Sequence, residues 1–446
     1  MKVAVIGAGW AGMAAAVGLS QAGLAPTVFE TARATGGRAR AFVAGQGAGG
    51  QPLVLDNGQH ILIGAYAESL RLMRLVGVDV DRALLRTPLA LPFADGTGLR
   101  LPDTAPPWDA LLGIARARGW QAGDKLALLR TAALWRLRGF RCAPGTTVQQ
   151  LCTRLPRTLM DEFIDPLCVS ALNTPAAEAC GQVFLRVLRD SLFSGRGGSN
   201  LLLPRTDLGT LFPETAARWL QPRGAVVHTG QRVQALARTP QGWRVDGALF
   251  DAVVLATPST EAARLARAAQ ATLPAPEARA TAAWATTAEA LRFTAIGTVY
   301  AQVPAQHISP SGTTLPEPML ALRPRLGQPA QFVFDRGQLG GPPGLLAFVV
   351  SAAQDDRATL EAAVLHQAAQ QLGLAGTQAL QTVVEKRATF ACTPALQRPS
   401  TAVAPGLWAC GDYTEGPYPA TLEGAVLSGT AVAHAVASLR SAGTSP

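Results

Sequence analysis

Cysteine and histidine are scarce in this chain, and neither is set out as a metal ligand. The six cysteines, Cys142, Cys152, Cys168, Cys180, Cys392 and Cys410, contain no C-x-x-C pair, and the five histidines stand apart from one another. That spacing argues against a metal centre. The thiols read as buried and reduced, as in a cytoplasmic protein. Charge is sparse too: 15% of residues are charged, against 48% hydrophobic and 6% aromatic. What charge there is leans positive, with a net +9 carried mostly by arginine. No helix-turn-helix, basic-aromatic strand pattern or Cys/His finger accompanies it, so no nucleic acid partner is expected. An anionic membrane surface suits the charge better, with the protein peripheral on the inner face of the membrane. Beyond the N-terminus no run of about twenty apolar residues is free of charge, and no spanning helix is expected. No internal repeat is present, and no low-complexity stretch longer than the Gly45–Gly50 loop.

What is present begins at the second residue. Lys2–Ile6 is an apolar strand, followed by Gly7, Gly9 and Gly12 in the spacing G-x-G-x-x-G, a small-residue helix, and a second strand ending at Glu30. Gly7 allows the tight strand-to-helix turn, Gly9 lets a pyrophosphate approach the backbone, and Gly12 lets helix and strand pack closely. The phosphates would sit at the helix N-terminus, where free N–H groups and the dipole favour anions. Glu30 lies about where an acid accepts hydrogen bonds from a ribose. The same stretch, Lys2 and then apolar residues to Ala25, could pass for a signal peptide. The glycine pattern accounts for it better, because cleavage would destroy the nucleotide site.

Two further segments identify the dinucleotide. Gly36-Gly37-Arg38 follows Glu30 closely, and Leu407–Asp412 is a strand running into Gly411-Asp412 and then Pro419–Gly429. Together with the fingerprint they resemble flavoproteins of the amine oxidase and phytoene desaturase superfamily. The resemblance implies FAD as cofactor. It places Gly37 and Arg38 beside the FAD phosphates, where a planar donor fork suits such oxygens. It places Asp412 near the ribitol and pyrophosphate, and the helix opening at Thr421 and Leu422 toward the flavin pyrimidine ring. Val233 would meet the adenine through its backbone.

Between these segments the pattern alternates. Residues 61–200 read mostly as helices: Tyr66–Val76, Trp108–Arg118, Lys125–Arg138, Val148–Leu155, Leu159–Leu172 and Gly181–Leu192. A helix is expected over 207–220, strands over Ala225–Leu236, Gly242–Val245 and Phe250–Pro258, then Ile296–Val303, Gln331–Phe334 and Leu345–Ser351, and a helix over Asp356–Leu372. Leu53–His60 reads as a strand ending in a polar cluster. The expected fold is α/β: a Rossmann-like FAD domain built from 1–65, 203–262 and 383–446, interleaved with a substrate domain of helices and an antiparallel sheet from 66–202 and 263–382. Substrate is then expected at the domain interface.

Leu55-Asp-Asn-Gly-Gln-His-Ile-Leu-Ile-Gly-Ala-Tyr66 closely resembles a motif of the hydroxysqualene dehydroxylase family, the squalene-associated FAD-dependent desaturases. Pro166–Pro175, Leu203–Phe212 and Gly411–Ala425 are similar to that family as well, and the likeness spans essentially the whole chain. One departure is Tyr413, where tryptophan is expected after Gly-Asp. The resemblance implies reduction of hydroxysqualene to squalene, a C30 isoprenoid, in hopanoid biosynthesis. Upstream prenyl-transferring enzymes supply the substrate, and reduced FAD is consumed as water leaves.

That chemistry needs a hydride donor at the carbinol carbon and an acid for the hydroxyl, within a dry apolar pocket. Gly58 would allow close approach to the flavin, and Gln59 or His60 could reach the hydroxyl. His60 has the pKa range of an acid, or else orients the cofactor or loop. Asp56 is either a further acid or a turn cap. Tyr413 and Glu415 are additional catalytic candidates, while Glu423 reads as a brace for a helix start. The arginine- and leucine-rich segment Leu111–Trp120 with Leu126–Arg138 suits either a membrane surface or an ordinary surface helix. Rival readings are a carotenoid desaturase, an amine oxidase and a non-catalytic FAD-bearing scaffold. Against the amine oxidase stands Thr421, where tyrosine is common. Only one nucleotide fingerprint is evident, since Gly195–Gly198 lacks a preceding strand.

Overall fold

Val3–Ile6, four consecutive apolar residues buried on both faces, forms a central strand of the computed structural model, which describes residues 1–46, 50–193 and 195–442. Double burial is what makes such strands continuous apolar runs. The six-stranded sheet runs Val226–His228, Thr27–Phe29, Val3–Ile6, Ala252–Leu255, Leu407–Ala409 and Ala402–Ala404. All neighbours pair in parallel except the last. Strands distant in sequence are therefore adjacent, and both ends of the chain meet in one layer.

The helix Trp10–Gln21 covers one face, and the C-terminal helix Leu422–Ala442 lies on it. Glycines make that contact close. A Cβ on Gly429 would stand 2.2 Å from the Ala11 carbonyl oxygen, and one on Gly18 would stand 2.7 Å from the Ala433 methyl. The window Leu422–Leu439 is long and apolar enough to cross a membrane by composition, but 44% of it is buried against the protein. Helices Ser259–Gln270 and Ala275–Glu289 cover the other face.

A second layer system holds a five-stranded antiparallel sheet in the order Met319–Ala321, Phe332–Asp335, Leu345–Ser351, Phe293–Gln302, Gln378–Phe390. The helix Arg357–Leu372 packs on one side, and the helices of 148–192 share an apolar core with the other. A parallel sheet between helices joined to an antiparallel sheet is the α/β organisation expected.

Several expectations need correction. Residues 61–200 are not solely helical: Leu62–Ile63 and Leu84–Thr87 pair with Leu201–Pro204, and Ala90–Pro92 pairs with Gly98–Arg100. These strands are too short to show periodicity. The strand Pro52–Asp56 pairs with Ala41–Gln46, so Gly45 of the glycine-rich Gly45–Gly50 segment belongs to a strand, and residues 47–49 lie outside the described residues. The stretch Ala225–Leu236 is not one strand: Val226–His228 joins the parallel sheet, and Leu236 opens a separate strand, Leu236–Thr239. Residue 383 lies within the strand that stays paired to Phe390. The Leu159–Leu172 helix contains a π turn at Met160–Ile164. Cys142 and Cys180 are half-buried rather than buried.

Candidate functional site

The fingerprint glycines occupy three different environments. Gly7 has φ +109°, and a Cβ there would lie 2.5 Å from the Ala256 carbonyl oxygen. A Cβ on Gly12 would lie 2.0 Å from the Gly7 carbonyl oxygen, so both positions are closed by the protein itself. Gly9 caps the helix, and a Cβ there would meet nothing nearer than 3.9 Å. The helix therefore opens into clear space, with no side-chain cap and no acid in its first turn. Its N-terminal N–H groups are left for an external anion. Glu30 follows the adjacent strand, and its two oxygens accept the N–H groups of Ala8 and Ala32, each at 2.8 Å. A carboxylate keeps further acceptor capacity beyond these two bonds, enough for ribose hydroxyls.

The Gly36-Gly37-Arg38 turn lies against this helix start. Gly36 donates to the Ala8 carbonyl at 2.8 Å, and Gly37 has φ +62° beside the Gly9 Cα. Arg38 donates from Nη1 to the Ala388 carbonyl at 2.7 Å and pairs through Nη2 with the Asp412 carboxylate. Burial works against its charge, but Asp412 outweighs it and holds the guanidinium charged. A cavity of about 210 Å³ adjoins this pair, lined among others by Ser259, Glu385, Arg387 and Tyr413. Thr35 Oγ1, Thr257 Oγ1, Ser259 Oγ and the Tyr413 hydroxyl are buried with no partner among the described residues. Native proteins rarely leave so many buried polar atoms unmatched. Their concentration around an open helix N-terminus and a half-buried cation fits a phosphate- and hydroxyl-rich cofactor such as FAD.

The Gly-Asp segment reaches the same place from the C-terminus. Gly411 donates to the Ser428 hydroxyl at 2.8 Å, and a Cβ on Gly411 would stand 2.6 Å from the Tyr413 ring. Tyr413 is thus tucked under the turn, and burial raises its hydroxyl well above the ordinary value. Glu415 is exposed, on a loop gripped by Arg398 through the Thr414 and Gly416 carbonyls. The structure does not bring it to the other candidates. Thr421 Oγ1 accepts the Gly424 N–H at 2.9 Å and donates to the Tyr418 carbonyl, so it caps the helix that Leu422 opens. Val233 is buried, and its carbonyl accepts from Arg264 at 2.8 Å. Glu423 braces a helix start, though not its own: it accepts the Glu68 and Ser69 N–H groups and the Ser69 hydroxyl at the head of Ala67–Leu75.

The Asp56–His60 loop divides into anchors and free groups. Asp56 Oδ1 accepts the Leu208 N–H at 2.8 Å, and Asn57 Oδ1 accepts the Arg40 N–H at 3.0 Å. Both side chains are buried. Gly58, Gln59 and His60 make no such ties: Gln59 Oε1 is buried without a partner among the described residues, and a Cβ on Gly58 would meet only the His60 ring. Burial, reinforced by Arg38, lowers the His60 imidazole to about 4. At neutral pH it is therefore uncharged, suited to hydrogen bonding and poorly suited to storing a proton. Burial raises the Asp56 carboxyl to about 7, against the pull of the Leu208 N–H and Arg336. Sequence reasoning missed Tyr300, whose hydroxyl donates to the Asp56 carbonyl at 2.8 Å from the second sheet. A lone tyrosine in a buried apolar strand was its one signal, because such a hydroxyl needs a partner. It also missed Asn173, which binds Thr294, Thr389 and the Ala352 N–H and ties the helices to that sheet.

Comparison with known proteins agrees with this construction. The profile of the flavin-containing amine oxidoreductases matches residues 10–437. A hydroxysqualene dehydroxylase of Rhodopseudomonas palustris is 29% identical, covering 97% of this chain and 98% of that protein. Among solved structures, an oxidoreductase from Methanosarcina mazei superposes with a TM-score of 0.72 at 18% identity, over 97% of this chain and all of that one. Cyclohexylamine oxidase from Brevibacterium oxydans gives 0.67 at 16% identity, over 99% of each. At such identities the two structures speak for the fold alone. With the fingerprint, the Arg38–Asp412 closure and the profile match in agreement, the chain is an FAD-dependent oxidoreductase that belongs to the flavin-containing amine oxidoreductase family.

Proposed function

We propose that this oxidoreductase removes the hydroxyl of hydroxysqualene to give squalene. The observation that carries this reading is the likeness to a hydroxysqualene dehydroxylase over nearly the full length of both chains. The Asp56–His60 loop supports it, since Asp56 and Asn57 anchor it through backbone N–H groups while Gln59 Oε1 is buried without a partner among the described residues. The substrate loses its C–O bond and gains a C–H bond. It is reduced by two electrons, and the departing hydroxide takes up a proton to leave as water.

Reduced FAD supplies the hydride when bound. The residues of this chain must hold the alcohol, deliver the proton and keep bulk water out. Gln59 Oε1, buried and unpartnered, would accept the substrate O–H and orient it. His60, as neutral imidazole, would add a second polar contact without placing a positive charge beside the developing carbocation. Asp56, whose carboxyl burial raises to about 7, would be the group of this loop best able to hold a proton near neutrality, on the oxygen that the Leu208 N–H leaves free. Tyr300 and Leu208 fix it from both sides. The apolar core cluster that includes Leu55, Phe163, Phe184 and Phe334 begins at this loop and would keep water from its inner side.

Product analysis tests the proposal. Holoenzyme reduced with dithionite is incubated with hydroxysqualene, and the extracted lipid is separated by gas chromatography with mass detection. Squalene should accumulate with enzyme and not without it. Failure there, combined with new double bonds formed by oxidised enzyme on phytoene, would replace this reading with that of a desaturase.

A further inference from the structure

An ordinary surface helix turns its polar side to water. Two neighbouring helices of this protein do the reverse. Ala122–Leu137 buries Leu128 and Trp135 on one side. Its opposite side carries Leu126, Arg130, Leu134 and Leu137, which helical spacing sets on one face, and Leu137 is 83% exposed. Trp108–Arg116 buries Gly113 and Ile114 and exposes Leu111 and Trp108, the latter at 63%. The two helices touch, and Lys125 Nζ donates to the Ala115 carbonyl at 2.9 Å, tying the start of one to the end of the other.

Charge follows the same pattern. Arg116, Arg118, Arg130, Arg136, Arg138 and Arg141 are all exposed. None forms an ion pair among the described residues, whereas Arg71, Arg264 and Arg267 elsewhere on the surface each hold a carboxylate. The acids of the segment are spoken for: Asp109 is buried, and Asp124 closes the capping box of its helix. The exposed side of the two helices therefore offers apolar side chains beside arginines that no carboxylate pairs among the described residues.

We propose that these two helices form a docking face for an anionic lipid bilayer. Trp108, Leu111, Leu126, Leu134 and Leu137 enter the headgroup boundary while the arginines meet lipid phosphates. Leucine and tryptophan flanked by arginine is the composition of helices that lie in a membrane interface. The inference stands on these helices and is independent of the substrate reading.

Vesicle co-sedimentation of the FAD-loaded protein tests it. Wild type should pellet with vesicles of equal phosphatidylglycerol and phosphatidylcholine, pellet far less with phosphatidylcholine alone, and be released by high salt. The double change Leu134→Glu, Leu137→Glu should lower partitioning about tenfold or more while the flavin spectrum and melting temperature stay unchanged. Should that variant fail to fold, Trp108→Glu with Leu126→Glu carries the same test. Equal pelleting of variant and wild type would overturn the proposal. So would a wild-type oligomer that these changes convert to monomer without any vesicle binding, because the face would then be a protein interface.

Discussion

Arg38 and Asp412, separated by 374 positions in the chain, form a part-buried ion pair that joins the Gly36-Gly37-Arg38 turn to the C-terminal Gly-Asp segment. The pair explains how an interleaved chain assembles one cofactor site. The sheet brings Leu407–Ala409 beside Ala252–Leu255, the strand next to Val3–Ile6, and the Arg38 fork then meets the carboxylate that follows. Arg38→Ala leaves that carboxylate buried without its cation and removes a donor from the phosphate region. A charge-assisted hydrogen bond is worth about 1.5–3 kcal/mol, so FAD affinity should fall roughly 10- to 100-fold. Flavin fluorescence titration of the deflavinated protein measures this, and an unchanged Kd would refute the role.

Gly9 and Gly12 should respond differently to alanine. At Gly12 the added Cβ collides with backbone 2.0 Å away, so Gly12→Ala should unfold or strongly destabilise the protein even without cofactor. At Gly9 the added Cβ finds free space, so Gly9→Ala should leave the melting temperature of the apoprotein nearly unchanged. It should nonetheless weaken FAD binding, because that space is where the pyrophosphate would approach. Apoprotein melting and FAD titration on both variants check the pair. An equally destabilised Gly9→Ala would show that the space is structural.

Asp56 makes stability depend on pH in an unusual direction. Its carboxyl is raised from 3.8 to about 7, so the folded state holds a proton that the unfolded chain has lost. As pH rises from about 4 to 7, wild type therefore loses stability that Asp56→Asn keeps. The difference grows toward a ceiling on the order of a few kcal/mol and levels off above pH 7. Melting temperatures of both proteins from pH 4 to 8 measure it. Parallel curves would mean that Asp56 is ionised in the folded protein. In turnover, Asp56→Asn should lower kcat at least about 100-fold if it supplies the proton, with the flavin still bound.

His60 should behave as a neutral hydrogen-bonding group. His60→Gln should retain activity within about tenfold, and His60→Ala should lose more, because only the amide replaces a polar contact. The pH–rate profile of His60→Gln should keep the wild-type shape. Disappearance of an acidic limb in that variant would instead make His60 the proton donor.

The geometry of the candidate cofactor site was partly legible in the sequence, because its requirements are local. Gly7, Gly9, Gly12 and Glu30 need only a strand, a turn and a helix in the right order. Arg38 and Asp412 could be named from their motifs, but their direct pairing could not, since nothing local relates two such distant residues. The Asp56–His60 loop was found as a polar cluster, yet its division into anchors and free groups depends on Leu208 and Arg40, which sheet topology brings near. Glu415 was named for its nearness to Asp412 in sequence, and only the fold shows that the turn held by Arg398 leaves it exposed. The short strands at 84–87, 90–92 and 98–100 were hidden because three or four residues carry no period, and pairing alone creates them. The outward leucines of Ala122–Leu137 could be read as amphipathic, but which side faced water required the packed structure.

Reduced FAD in this protein should be oxidised by hydroxysqualene. Anaerobic stopped-flow mixing of the reduced holoenzyme with that substrate, followed by lipid extraction, tests it directly. Return of oxidised-flavin absorbance with one squalene formed per flavin is the predicted result. Flavin that stays reduced, with hydroxysqualene recovered intact, would contradict it.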